Sequence, residues 1–69
     1  MSENEQIKKI RDTAIYTVDS KVKISSIDSL ATYGMQGIDP IIDIVGSTIR
    51  EDAKTHGLDT VKRIRENLR

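Results

Sequence analysis

An all-α fold of four helices in two like pairs is what the sequence predicts, and three observations predict it. Apolar residues recur at spacings of three and four, as along one stripe of a helix. Sliding the chain against itself by 31 residues lays like residues on like. The breaks between apolar stretches carry helix-start and helix-stop residues, at Asp19-Ser20, Gly34 and Asp39-Pro40.

The repeat has no gaps. Ile7 falls on Ile38, Ile10 on Ile41, Asp12 on Asp43, Thr17 on Thr48, Lys23 on Lys54 and Asp28 on Asp59. Between these identities Val18 meets Ile49, Val22 meets Ala53, Ile27 meets Leu58 and Leu30 meets Val61. The apolar positions falling in register carry more weight than the identities, because the apolar stripe is what each unit has to bury. The expected organisation is one helical domain over 1–69, with a polar N-terminal cap at 1–6, one repeat at 7–34 and a second at 38–66.

Each element follows from local chemistry. Ser2 and Glu5 have the spacing of a capping box at the start of the first helix. Ile7, Ile10, Ala14 and Val18 then form its stripe. Asp19 or Ser20 can cap the second helix, which carries Val22, Ile27, Leu30 and Ala31 and stops near Gly34. Gly34 and Gly37 bracket a loop, with Gly34 past the helix end where a positive φ is needed. Asp39-Pro40 predicts the third helix start, a carboxylate at the N-cap followed by a ring that needs no amide donor. Ile41, Ile42, Ile44, Val45 and Ile49 make that helix apolar on most sides, which suits a central position. The last helix runs from about Glu51 to Leu68, with Leu58, Val61, Ile64 and Leu68 on its stripe. Lys54, Asp59, Lys62, Arg63, Arg65 and Glu66 make its other face charged. Gly57 inside it either lets a neighbouring helix approach closely or marks a break. A competing reading makes the β-branched segment Ile15–Ile24 a hairpin about Asp19-Ser20, but the matching segment Gly46–Thr55 has no strand character after Ile49.

The spacing resembles a HEAT-like repeat of the short type found in phycobilisome lyases. Val22-Lys23, then Ile27 and Leu30 with Tyr33-Gly34, look like that family's apolar-basic pair, spaced apolar helix and closing glycine. Gly37-Ile38-Asp39-Pro40-Ile41-Ile42 resembles its next helix, and Ala53-Lys54, Leu58, Val61 and Ile64 restart the pattern. The match covers about residues 7–66 and rests on apolar spacing. The resemblance implies a right-handed α–α superhelix of two helix pairs in the order B-A-B-A. It implies that the first and third helices line the concave face, presenting Lys8, Arg11, Asp12, Asp39, Ile42 and Asp43 to a partner. The family's iron-dependent hydroxylases use His-Glu pairs on that face, which this chain lacks. Its bilin lyases are much longer, so neither activity carries over.

Composition narrows function further. The 69 residues include 11 Ile, 4 Val and 3 Leu but no Phe or Trp, so the core is small and a self-partner or larger assembly is expected. Lys plus Arg equals Asp plus Glu at 11 each, which argues against a general nucleic-acid or membrane-surface binder. There is no Cys to form disulfides or thiolate sites. The polar, acidic start does not read as a signal peptide, and Ile38–Val45 is too short to span a bilayer. A cytoplasmic location is the expectation.

No catalytic set, metal site or cofactor motif is expected. His56 is the sole histidine, and none of Ser20, Ser25, Ser26, Ser29 and Ser47 sits in a nucleophile elbow. Asp39 reads as a cap, and Asp28 and Asp59 as solvent-facing or Lys-paired. Asp12 and Asp43, at equivalent places beside Lys8 and Arg11, form either a solvated face or a recognition stripe. Gly34-Met35-Gln36-Gly37 lacks the spacing and lysine of a phosphate loop. The expected function is therefore a non-enzymatic protein–protein interaction or scaffold module within an oligomer or larger complex. The alternative is nucleic-acid binding through Lys62, Arg63, Arg65 and Arg69. Those same cations also favour a helix C-terminus for purely local reasons.

Overall fold

Each helix boundary is set by a short polar device, and these devices decide which apolar residues reach the core. The computed structural model describes residues 2–67, and the side chains of 5–67. Four helices form: α1 (Ser2–Tyr16), α2 (Ser20–Ala31), α3 (Met35–Ser47) and α4 (Glu51–Glu66). No strand occurs among the described residues, so the hairpin about Asp19-Ser20 does not form.

Helix α1 buries Ile7 and Ala14 and half-buries Ile10 and Ile15. The expected capping box involves the side chain of Ser2, which lies outside the described side chains. The stripe does not reach Val18. The helix closes with the Thr17 amide on the Thr13 carbonyl, and Thr17 Oγ1 then accepts the Asp19 amide at 3.1 Å. This hydroxyl turn swings the chain out of the helix before Val18, which is 91% exposed. Asp19 caps α2 in extended backbone, its Oδ1 accepting the Lys21 amide at 2.9 Å. Ile27 and Leu30 of α2 are fully buried.

The α2–α3 turn corrects the sequence reading most. Gly34, with φ 66°, takes the turn that needs no Cβ, as expected. Gly37 is not in a loop, however, and Asp39-Pro40 does not start the helix; α3 begins at Met35, and Pro40 lies inside it. A Cβ at Gly37 would overlap the Leu30 carbonyl oxygen, so the first turn of α3 sits directly on the end of α2. Continuing the helix back to Met35 also buries Ile38, worth about 1.5–3 kcal/mol. A mid-helix proline costs about 3 kcal/mol through a lost hydrogen bond and a clash one turn back. Here the carbonyl that loses its helix partner belongs to Gln36, an exposed residue of the first turn. The balance favours the longer helix, and Asp39 is a solvent-facing helix residue rather than a cap.

Helix α3 contributes Ile38, Ile41 and Ile44 to the core, while Ile42 is exposed. Ile49 does not belong to α3. Thr48 Oγ1 accepts the Arg50 amide at 3.1 Å, the same turn as at Thr17, and Ile49 is left 89% exposed. Helix α4 starts with Glu51 and Asp52 in its first turn, where carboxylates favour the N-terminal end of the helix dipole. Its buried face is Ala53, Gly57, Thr60, Val61 and Ile64. Leu58 is off that face and exposed, contrary to expectation, and Leu68 lies outside the described residues. The phase is set by Gly57: a methyl there would overlap Val45 Cγ2 and touch Ile27 Cδ1 at 3.4 Å and Ile41 Cγ2 at 3.5 Å. Gly57 is thus a close approach and not a break.

Helix α1 packs on α2 and α3, α4 packs on α2 and α3, and α2 and α3 touch each other. Helices α1 and α4 do not meet among the described residues, so the four do not close a ring in sequence order. The chain measures 33 × 27 × 16 Å, the thin direction matching two helices packed 8–10 Å apart. Tyr33 Oη donates to Gln6 Oε1 at 3.3 Å and ties the α2–α3 turn to α1. Among the described residues, no helix is long and apolar enough to cross a membrane.

The glycines make the packing testable. Gly46 is exposed with open space around its missing Cβ, so Gly46→Ala should stabilise by about 0.5–1 kcal/mol from helix propensity. Gly37→Ala and Gly57→Ala should instead destabilise by about 1–3 kcal/mol, with Gly37→Ala the worse because its obstacle is backbone. Urea denaturation midpoints of the three variants check the order and the signs.

Candidate interaction surface

The neighbouring placement of α1 and α3 brings part of the expected recognition stripe together. Arg11, half-buried on α1, donates from Nε and Nη2 to Asp12 Oδ1 at 3.2 and 3.1 Å. Its Nη1 reaches across to Asp43 Oδ2 on α3 at 3.5 Å. One guanidinium therefore spans two carboxylates from repeat-equivalent positions. Side chains this exposed make such pairs worth about 0–1 kcal/mol. Lys8 stands one helical turn before Asp12, and Asp39 one turn before Asp43, both exposed. Ile42 is the exposed apolar residue beside Asp43. Chemically, this face offers a row of carboxylate acceptors held by one shared arginine, with an isoleucine at its side.

The basic helix is placed differently. Lys62, Arg63 and Arg65 are exposed on α4, and Arg63 Nε already forms an ion pair with Asp59 Oδ2 at 3.2 Å one turn back. Arg69 lies outside the described residues. Asp28, expected to face solvent or pair with a lysine, sits 2.6 Å from His56 Nε2 and joins α2 to α4. An ionised carboxylate only accepts, so this contact places a proton on Nε2. Among the described residues, no group of three or more His, Cys, Asp or Glu side chains is arranged to hold a metal ion.

Sequence reasoning missed two features. Lys23 is 5% exposed, and its Nζ donates to the Ala14 carbonyl oxygen at 2.7 Å. It therefore places a cation at the C-terminal turn of α1, where the helix end presents unsatisfied carbonyls. The available signal was the identity of Lys23 with Lys54 across the repeat, together with its place on the buried side of α2. The second feature is a depression of about 420 Å³ between the α1–α2 and α3–α4 connections, bordered by Tyr16, Val18, Ile49 and Arg50. The helix stripes claim Val18 and Ile49 for the interior, which hides this depression from a reading of the sequence. A shallower groove of about 370 Å³ runs between α1 and α2, lined by Lys9, Ile10, Lys21 and a row of serines.

No protein-family model, no curated protein and no solved structure matches the chain.

Replacing Lys23 by Met keeps the buried stem and removes only the charged donor. The Ala14 carbonyl then loses its partner, and Lys23→Met should destabilise by about 1.5–3 kcal/mol, the range for a hydrogen bond to a charged group. Asp43→Asn, which weakens only an exposed pair, should move the denaturation midpoint by less than about 1 kcal/mol.

Proposed function

We propose that this chain is a non-enzymatic interaction module: two HEAT-like helix pairs stacked as an α–α superhelix, acting through the joint face of α1 and α3. The adjacency of the helices supports the stacking. Stacked pairs place first helix beside first helix and second beside second, with one diagonal contact between units, and here α1 lies by α3, α2 by α4, and α2 meets α3. The matching hydroxyl turns at Thr17 and Thr48 support a repeated unit as well.

The observation that carries the function is the Arg11 bridge from Asp12 to Asp43 beside exposed Ile42. It joins the two helices into one polar surface with an apolar spot, the composition of an interface core with a polar rim. A protein partner presenting lysine or arginine donors around an apolar side chain fits it.

The test uses tagged wild-type chain, an Ile42→Glu/Asp43→Lys variant and a Lys62→Ala/Arg63→Ala/Arg65→Ala variant as baits in the native cell. All five positions are exposed, and the pairs that Asp43 and Arg63 make are exposed too, so folding stability should stay within about 1 kcal/mol. Protein partners held by wild type and by the basic-helix variant, but lost from the α1/α3-face variant, are the expected result. Partners that survive the face variant would remove this reading. Steeply salt-dependent gel shifts, abolished in the triple alanine variant, would replace it with nucleic-acid binding.

A further inference from the structure

We infer that a second copy of this chain docks end to end on the connection end of the molecule, Val18 of each copy on Ile49 of the other. The inference rests on the reading of the protein as an interaction module and names a second surface and its occupant. Tyr16, Val18 and Ile49 are 83%, 91% and 89% exposed, and all three border one depression. Single exposed apolar residues are ordinary, but a cluster gathered at one end marks a docking site.

Charge selects the occupant. Asp19 and Arg50 are repeat-equivalent, as are Lys21 and Asp52, and each pair carries opposite signs. All four are exposed, and none takes part in an ion pair among the described residues. Asp19 and Asp52 each use only Oδ1 in a local bond to a backbone amide, which leaves Oδ2 free. A twofold axis lying between the ends, perpendicular to the line joining the two connections, lays each connection on the other connection of the second copy. Asp19 then faces Arg50, Lys21 faces Asp52, and Val18 faces Ile49, each twice, as an isologous interface requires. The other twofold lays like connection on like, bringing Asp19 to Asp19 and Arg50 to Arg50, which repulsion disfavours. Three apolar side chains and these pairs make a small contact, at the low end of specific interfaces. The dimer is accordingly expected to be about micromolar or weaker.

Sedimentation velocity of the full chain over a concentration series, reaching millimolar, tests this. Wild type should pass from monomer to dimer, and Val18→Ser/Ile49→Ser should remain monomeric. Lys21→Asp and Asp52→Lys should each weaken association by about tenfold, and the double exchange should restore it, as paired charges do in a double-mutant cycle. Circular dichroism confirms that each variant is folded, a needed control because Asp52→Lys gives up the bond from the Ala53 amide and reverses a charge in the first turn of α4. A wild-type chain that stays monomeric overturns the inference, as does a dimer indifferent to both single exchanges. A monomer that instead cosediments with lipid vesicles through Val18 and Ile49 also overturns it. Loss of the dimer with partner capture through Ile42 and Asp43 intact would leave the proposed function standing. A dimer that persists in the Ile42→Glu/Asp43→Lys variant, while no partner depends on that face, would sink the function and spare the dimer.

Discussion

The fold depends on two places where a side chain is missing. At Gly57 the backbone of α4 comes close enough to α3 that Val45 Cγ2 occupies the space a methyl would need. At Gly37 the first turn of α3 rests on the Leu30 carbonyl at the end of α2. The fully buried large side chains are Ile27, Leu30, Ile41 and Ile44, and none is aromatic. A core of such modest volume fills its space only if the helices approach closely, since unfilled gaps forfeit dispersion contacts. The glycines permit that approach. Each costs about 1 kcal/mol of helix propensity against alanine, and the packing they allow offsets it.

Around that junction, side-chain oxygens and one lysine finish the helices. Thr17, Asp19 and Thr48 each accept a backbone amide two residues on, and Ser47 and Thr32 each donate to a carbonyl three residues back. These bonds cover groups that helix ends leave without partners. Lys23 does the same across helices, from α2 to the end of α1, and is the one buried charge of the fold among the described side chains. The Ala14 carbonyl it bonds lies at the negative end of the α1 dipole, which favours a cation there. This bond couples the position of α2 to the end of α1, and so to the connection that presents Val18.

The number, order and type of the helices were legible, because apolar spacing and helix-start residues act locally. Asp19 caps as its chemistry suggests, and Gly57 packs closely as one of its two readings held. The α1/α3 face was partly legible: the repeat aligned Asp12 with Asp43, and the helices stand side by side, yet nothing local says that Arg11 reaches both. The failures have two causes. Val18, Ile49 and Leu58 follow from periodicity, which registers apolar character without registering where the chain leaves a helix or which face a close contact selects; Pro40 follows from a helix-start rule that packing overrides. Proline at a helix start is a strong local rule, but burial of Ile38 and the fit of Gly37 on Leu30 outweigh it. Threonine hydroxyls end α1 and α3 before the stripe does. Gly57 rotates the buried face of α4 away from Leu58.

The two halves also differ in an informative way. Positions that shape the unit match: Thr17 and Thr48 make the same turn, Ile7 with Ile38 and Ile10 with Ile41 pack inward or partly so, and Asp12 and Asp43 share one arginine. Positions at the tips differ in sign while keeping their apolar neighbours, Val18 for Ile49 beside Asp19 for Arg50. An internal constraint explains the first group, since a changed hydroxyl or core residue would alter the turn or the packing in that half. No contact within the chain requires the second group to be apolar, because water surrounds both residues. Two β-branched side chains held in water at equivalent points, each flanked by a charge complementary to the other's, have a use only when something covers them. A copy of the same end, turned over, meets both requirements at once.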